Sequence, residues 1–158
     1  NVIRLSDSVY GSTSTAAVGV ACHETGHAIQ HAVGYKPVKI RTAIVPITNF
    51  GSKISIPLII VGLLLASFSS VFIMLAYFGI LCFSLCVVFQ LVTLPTEFNA
   101  SNRALKCIEE NGLLMGEELA GARKTLSAAA MTYVAALAVS IMQLLRFVVI
   151  VGGGSRRN

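Results

Sequence analysis

The sequence predicts an all-α membrane protein: a transmembrane helical hairpin and a third span, with a helix carrying a His-Glu-x-x-His motif at the membrane surface. Three observations lead there. Hydrophobic residues make up 55% of the chain and charged ones only 12%, against about 25% charged in an ordinary soluble domain. Residues 54–96 contain no Asp, Glu, Lys, Arg or His, a run about twice the roughly 20 residues that one membrane-crossing helix needs. A second apolar stretch, residues 126–151, is interrupted only by Arg146. Helices buried in a soluble protein are the alternative reading, but such helices rarely stay free of charge for so long.

Taken in order, the chain opens on residues 2–7, partly alternating in polarity and compatible with a short strand. Ser14 or Thr15 can cap a helix over residues 15–33, with Gly34 at its end and Pro37 just beyond. Residues 35–53 read as a connector in which Lys36, Lys39, Arg41 and Lys53 alternate with apolar side chains. That composition suits either anionic headgroups or a plain solvated loop. The long uncharged run is too long for one span, so it predicts two, at about 54–72 and 75–94, with Ser67, Ser69 and Ser70 near the turn.

A helix should follow, because Phe98, Ala100, Ala104, Leu105 and Ile108 recur at helical spacing and Gly112 can end it. The third span is predicted at about 127–150. Ala128, Thr132, Ala136 and Ser140 give it a face of small side chains suited to close helix packing. Arg146 can snorkel to the interface. Cys82 and Cys86 fall inside the second span and Cys22 and Cys107 in separate segments, which suits packing better than disulfides. The whole reads as one membrane-embedded domain, residues 1–158. Because it starts with Asn1 and has no signal peptide, it is expected to lack an N-terminal segment of a longer parent.

The chemistry sits in His23-Glu24-Thr25-Gly26-His27. Residues four apart share a helix face, so both imidazoles can reach one tetrahedral zinc ion. Glu24 lies about 100° round the helix from His23, beside the metal rather than on it, where it can serve as general base. The bland alternative is an amphipathic helix whose His and Glu face water. A catalytic zinc takes three protein ligands and keeps one position open. Of the seven acidic residues, Glu97 is the candidate third ligand, since it follows the second span and opens an apolar helix. The other reading of Glu97 is a carboxylate placed there by the helix dipole. Glu109, Glu110, Glu117 and Glu118 look like solvated surface. His31 is assigned a supporting role, because a fourth protein ligand would close the site, and Cys22 is assigned to packing.

The stretches "AAVGVACHETGHAIQHAVGY", "FQLVTLPTEFNASNRAL" and "ARKTLSAAAMTYVAALA" make the chain resemble the YugP-like membrane zinc metallopeptidases and, more distantly, the HtpX-type membrane proteases. The resemblance implies Zn2+ held by His23, His27 and Glu97, with Glu24 as the catalytic base. It departs from the pattern at two places. Asn99 stands where the YugP-like pattern is often acidic, and Ser101 where the HtpX-type pattern has Asp, so the groups that orient the ligands are expected to differ. Asn102 and Arg103 are candidates for that outer layer.

Eight of the twelve basic residues, Lys36, Lys39, Arg41, Lys53, Arg103, Lys106, Arg123 and Lys124, flank the hairpin on its presumed common side. By the positive-inside rule that side is cytoplasmic; Arg156 and Arg157 dissent. The expected activity is zinc-dependent endopeptidase action on polypeptides near the bilayer, membrane proteins among them, with no nucleic-acid partner. A site deep in the bilayer is disfavoured, because the uncharged residues 11–22 before His23 are too few to enter far. A non-catalytic metal-binding scaffold or metal transporter is the competing class, and Glu24 discriminates the two.

Overall fold

The structure, a computed structural model, describes residues 2–155. These residues form α1 (Asp7–Tyr10), α2 (Thr15–Ala32), α3 (Lys36–Leu65), a 3-10 turn at Ser70–Phe72, α4 (Ile73–Glu110) and α5 (Gly116–Ser155). The architecture is all-helical. Three of the helices, α3, α4 and α5, are long and apolar enough to cross a membrane.

The expected strand at residues 2–7 does not form. Residues 2–6 carry no regular structure and α1 starts at Asp7 with Ser6 as its extended cap. An alternating pattern makes a strand only where a neighbouring strand offers backbone partners, and among the described residues there is none. Of the connector expected at 35–53, residues 36–53 are helical too, being the first part of α3. Pro37 falls in the opening turn of α3, where a missing N–H costs little. Pro46 and Pro57 lie inside it. The hydroxyls of Thr48 and Ser55 donate to carbonyls one turn back, Ile44 O and Val45 O at 3.0 Å and Ser52 O at 2.9 Å. In the hairpin turn, α3 stops at Leu65 rather than running to 72, and Ser69 accepts from Val71 N to open the 3-10 turn.

The described residues divide into two compact units, one comprising residues up to Ile40 with Val92–Val134, the other Arg41–Leu91 with residues from Ala135 onward. In the first, Ser14 caps α2 by accepting from Ala17 N at 3.2 Å. Both α2 and α4 end on a glycine at positive φ, Gly34 at 66° and Gly112 at 59°. In each, the following residue donates back across the turn, Tyr35 N to Gln30 O and Leu113 N to Ile108 O, closing a Schellman motif. The core of this unit is Cys22, Ala104, Ile108, Leu114, Ala122 and Leu126. Cys22 therefore packs as expected. Burial raises its thiol pKa, with Cys107 beside it adding to the rise.

In the second unit Ile59, Ala76 and Val151 form the buried centre, with Leu63, Ile73, Ile80 and Phe147 against them. Phe83 and Phe147 meet edge to face at 5.2 Å. Ile60, Leu64, Phe78, Leu81 and Val149 all face outward. Only 6% of the most apolar window of α5 is buried. An outward apolar surface of this kind suits lipid and would be a liability in water. Arg156 and Arg157 lie outside the described residues.

Candidate metal centre

Helix α2 places His23 and His27 one turn apart, with ring centroids 4.7 Å apart and the rings perpendicular. Helix α4 supplies Glu97, whose side chain is almost fully buried. Its Oε2 lies 3.3 Å from His23 Nε2 and 3.5 Å from His27 Nε2. What lets the two helices come so near is Gly26, between the histidines. A Cβ there would stand 2.6 Å from the Ala100 carbonyl oxygen. Ala100 and Ala104 on the α4 side are themselves fully buried. Small residues on both faces bring imidazole and carboxylate within reach.

The far nitrogen of each ring is also held. Ser101 Oγ lies 3.2 Å from His23 Nδ1, and Gln30 Oε1 lies 3.0 Å from His27 Nδ1. Gln30 is fully buried, and its amide nitrogen donates to Thr96 O at 2.7 Å and to Asn99 Oδ1 at 3.1 Å. Arg103 Nε donates to the same Asn99 oxygen at 2.8 Å. With its NH2 group facing two acceptors, the carboxamide of Gln30 must turn its oxygen to His27. His27 Nδ1 is thus the donor, and in the neutral ring Nε2 carries the lone pair. The hydrogen bond to Glu97 raises the His27 pKa, opposed by burial and reinforced by Gln30.

The donor atoms of His23, His27 and Glu97 all lie within 4.8 Å of one another. Two imidazole nitrogens and one carboxylate oxygen are a donor set of catalytic zinc, and ligand bonds of 2.0–2.2 Å in a tetrahedron put donors about 3.3–3.5 Å apart. The observed 3.3 and 3.5 Å separations fit that spacing. Beside the triad is a cavity of about 210 Å³ lined by Glu24, His27, Ala28 and His31 from α2 and by Val2, Ile3 and Arg4.

The part of the chain that matches known proteins contains the residues that build this geometry. A family described as "Putative neutral zinc metallopeptidase" matches residues 1–152. The "Putative membrane protease YugP" of Bacillus subtilis (strain 168) is 46% identical over 157 residues, covering 99% of this chain and 68% of that protein. This chain belongs to the YugP-like family. No solved structure matches it.

In this YugP-like chain the structure gathers His23, His27 and Glu97, and brings Glu24 to the adjoining cavity. His31 is exposed and lines the cavity, outside the three-donor group. Of the expected outer residues, Arg103 acts through Asn99, whereas the side chain of Asn102 makes no hydrogen bond among the described residues and the residue is exposed. Sequence reasoning missed Gln30. Its signal was an amide three residues after His27 on a helix otherwise buried by small and apolar side chains, a position where a polar group needs a partner. Glu109 pairs with Arg123 at 2.7 Å and Glu110 with Lys106 at 3.6 Å, both at the surface.

Proposed function

We propose that the chain is a zinc-dependent membrane endopeptidase in which His23, His27 and Glu97 hold the metal and Glu24 is the catalytic base. The observation that carries this reading is the convergence of those three donors within 4.8 Å, next to a cavity that Glu24 and His27 share. When bound, zinc supplies Lewis acidity that polarises a carbonyl and acidifies water. Glu24 takes the proton of the attacking water and returns it to the leaving amine. Ser101 and Gln30 keep both Nε2 atoms turned toward Glu97, so the donors need no rearrangement to act together.

Sequence position supports a site at the membrane surface. Glu97 comes directly after the uncharged run of residues 54–96, which is long enough for two crossings of about 20 residues each, so it falls where the second crossing ends. The basic residues named above make that surface the cytoplasmic one. Polypeptide segments close to the bilayer, including those of membrane proteins, are then the substrates within reach.

The test is Glu24→Gln in the purified, zinc-loaded protein, with casein as substrate. Peptide cleavage should vanish while zinc stays near one per chain, and Glu97→Ala should lose the metal. Cleavage that persists in Glu24→Gln refutes the base assignment. Wild-type protein that keeps zinc but cleaves nothing points to a metal-binding scaffold or transporter.

A further inference from the structure

We infer that the cavity beside Glu24 is a subsite for a carboxylate-bearing peptide residue, selected by Arg4; this rests on the peptidase reading above. Glu24, Ala28 and His31 fall at helical spacing along one face of α2 and line the cavity together. That stripe is about 10 Å long, the length of about three extended residues. Val2, Ile3 and Arg4 line the same cavity. The result is a short trough that starts beside the reacting groups, large enough at about 210 Å³ for a side chain.

The lining groups are unequal in charge. Arg4 is the one permanent cation among them and Glu24 the one carboxylate. A zinc ion held by His23, His27 and Glu97 would have its two charges balanced by Glu97 and Glu24, leaving Arg4 as the remaining cation of the cavity. Its guanidinium is exposed and makes no hydrogen bond or ion pair among the described residues. Five N–H donors in a planar fork match a carboxylate in bidentate fashion. Exposed Val2 and Ile3 beside it offer apolar contact to the stem of such a residue. A lysine or arginine of the substrate would meet Arg4 and gain nothing. The carboxylate can belong to an Asp or Glu side chain or to a peptide C-terminus.

Binding to the zinc-loaded full chain with Glu24 intact, using peptides shown by mass spectrometry to stay uncleaved over the measurement, separates this inference from catalysis. Fluorescent peptides that differ only as Glu, Gln or Lys at one position are compared by anisotropy, each with a free and an amidated C-terminus. The Glu peptide should bind roughly five- to ten-fold more tightly than its Gln counterpart, as expected for one charge-assisted pair. If the free C-terminus rather than the side chain gives the gain, the terminal carboxylate is the group recognised. Adding Arg4→Gln should abolish the discrimination, and Arg4→Glu should turn it in favour of the Lys peptide. Equal affinities, a preference for Lys, or discrimination that survives both Arg4 substitutions would overturn the inference. Hydrolysis of casein by the same protein is measured separately, so failure to cleave bears on the peptidase reading alone.

Discussion

The Cα of Gly26 faces the carbonyl of Ala100 so closely that a methyl group there would stand 2.6 Å from the oxygen. The contact is backbone, so no side chain can swing aside. Gly26→Ala should push α2 off α4 at a cost of about 1–3 kcal/mol. Because His23 and His27 flank Gly26 while Glu97 is on α4, zinc affinity should fall about tenfold or more, read by competition with a chromophoric chelator. Wild-type affinity in a folded Gly26→Ala protein would show that the close approach does not set the donor spacing.

Gln30 is expected to matter as much as a ligand. Replacing it by Met removes the acceptor of His27 Nδ1 and the donor to Thr96 O and Asn99. Loss of such an orienting partner lowers metal affinity by about 10–100-fold, and the stranded buried groups cost about 1–3 kcal/mol more. Zinc titration and thermal melting read the two effects separately. Unchanged affinity in Gln30→Met would remove its orienting role.

Ser101 offers His23 Nδ1 a neutral hydroxyl at 3.2 Å. A carboxylate at that position accepts more strongly. Ser101→Ala should therefore weaken zinc binding several-fold, whereas Ser101→Asp should match or exceed wild type. If Asp weakens binding as much as Ala does, repulsion from the neighbouring Glu97 outweighs the better acceptor.

The raised pKa of His27 makes the metal-free protein sensitive to pH. Its cause is first the hydrogen bond to Glu97, which favours the imidazolium. A group whose folded pKa exceeds its unfolded value contributes stability that is full below the unfolded value, here 6.5. That contribution disappears as pH rises through the raised folded value. Chelator-treated protein should melt at progressively lower temperature across that window, and His27→Gln should flatten the dependence. Zinc displaces the same proton, so its affinity should climb over the interval in which the apo protein weakens.

The spans were legible from residues 54–96 and 126–151 because hydrocarbon tolerates no unpaired charge, and that constraint is written in composition. Their continuation was legible only in part. The helix after the second span was read from Phe98, Ala100, Ala104, Leu105 and Ile108, but as a separate element opened by Glu97, whereas α4 runs unbroken through it. Residues 36–53 belong to α3, yet interleaved lysines and prolines look like breaks to a reading by local pattern. The alternation at residues 2–7 misled for the opposite reason, since a strand needs a partner that local sequence cannot supply.

By itself the sequence determined the helical class, the three apolar helices and the His-Glu-x-x-His face, each a property of neighbours along one chain. Only the tertiary structure decided that Glu97 meets His23 and His27, that Gln30 and Ser101 aim those rings, and that Arg4 reaches the cavity of Glu24. Apart from the His27–Gln30 contact, one turn along α2, those relations join residues far apart in the chain. They exist because Gly26 and Ala100 allow two helix backbones to touch, a matter of packing that no periodicity records.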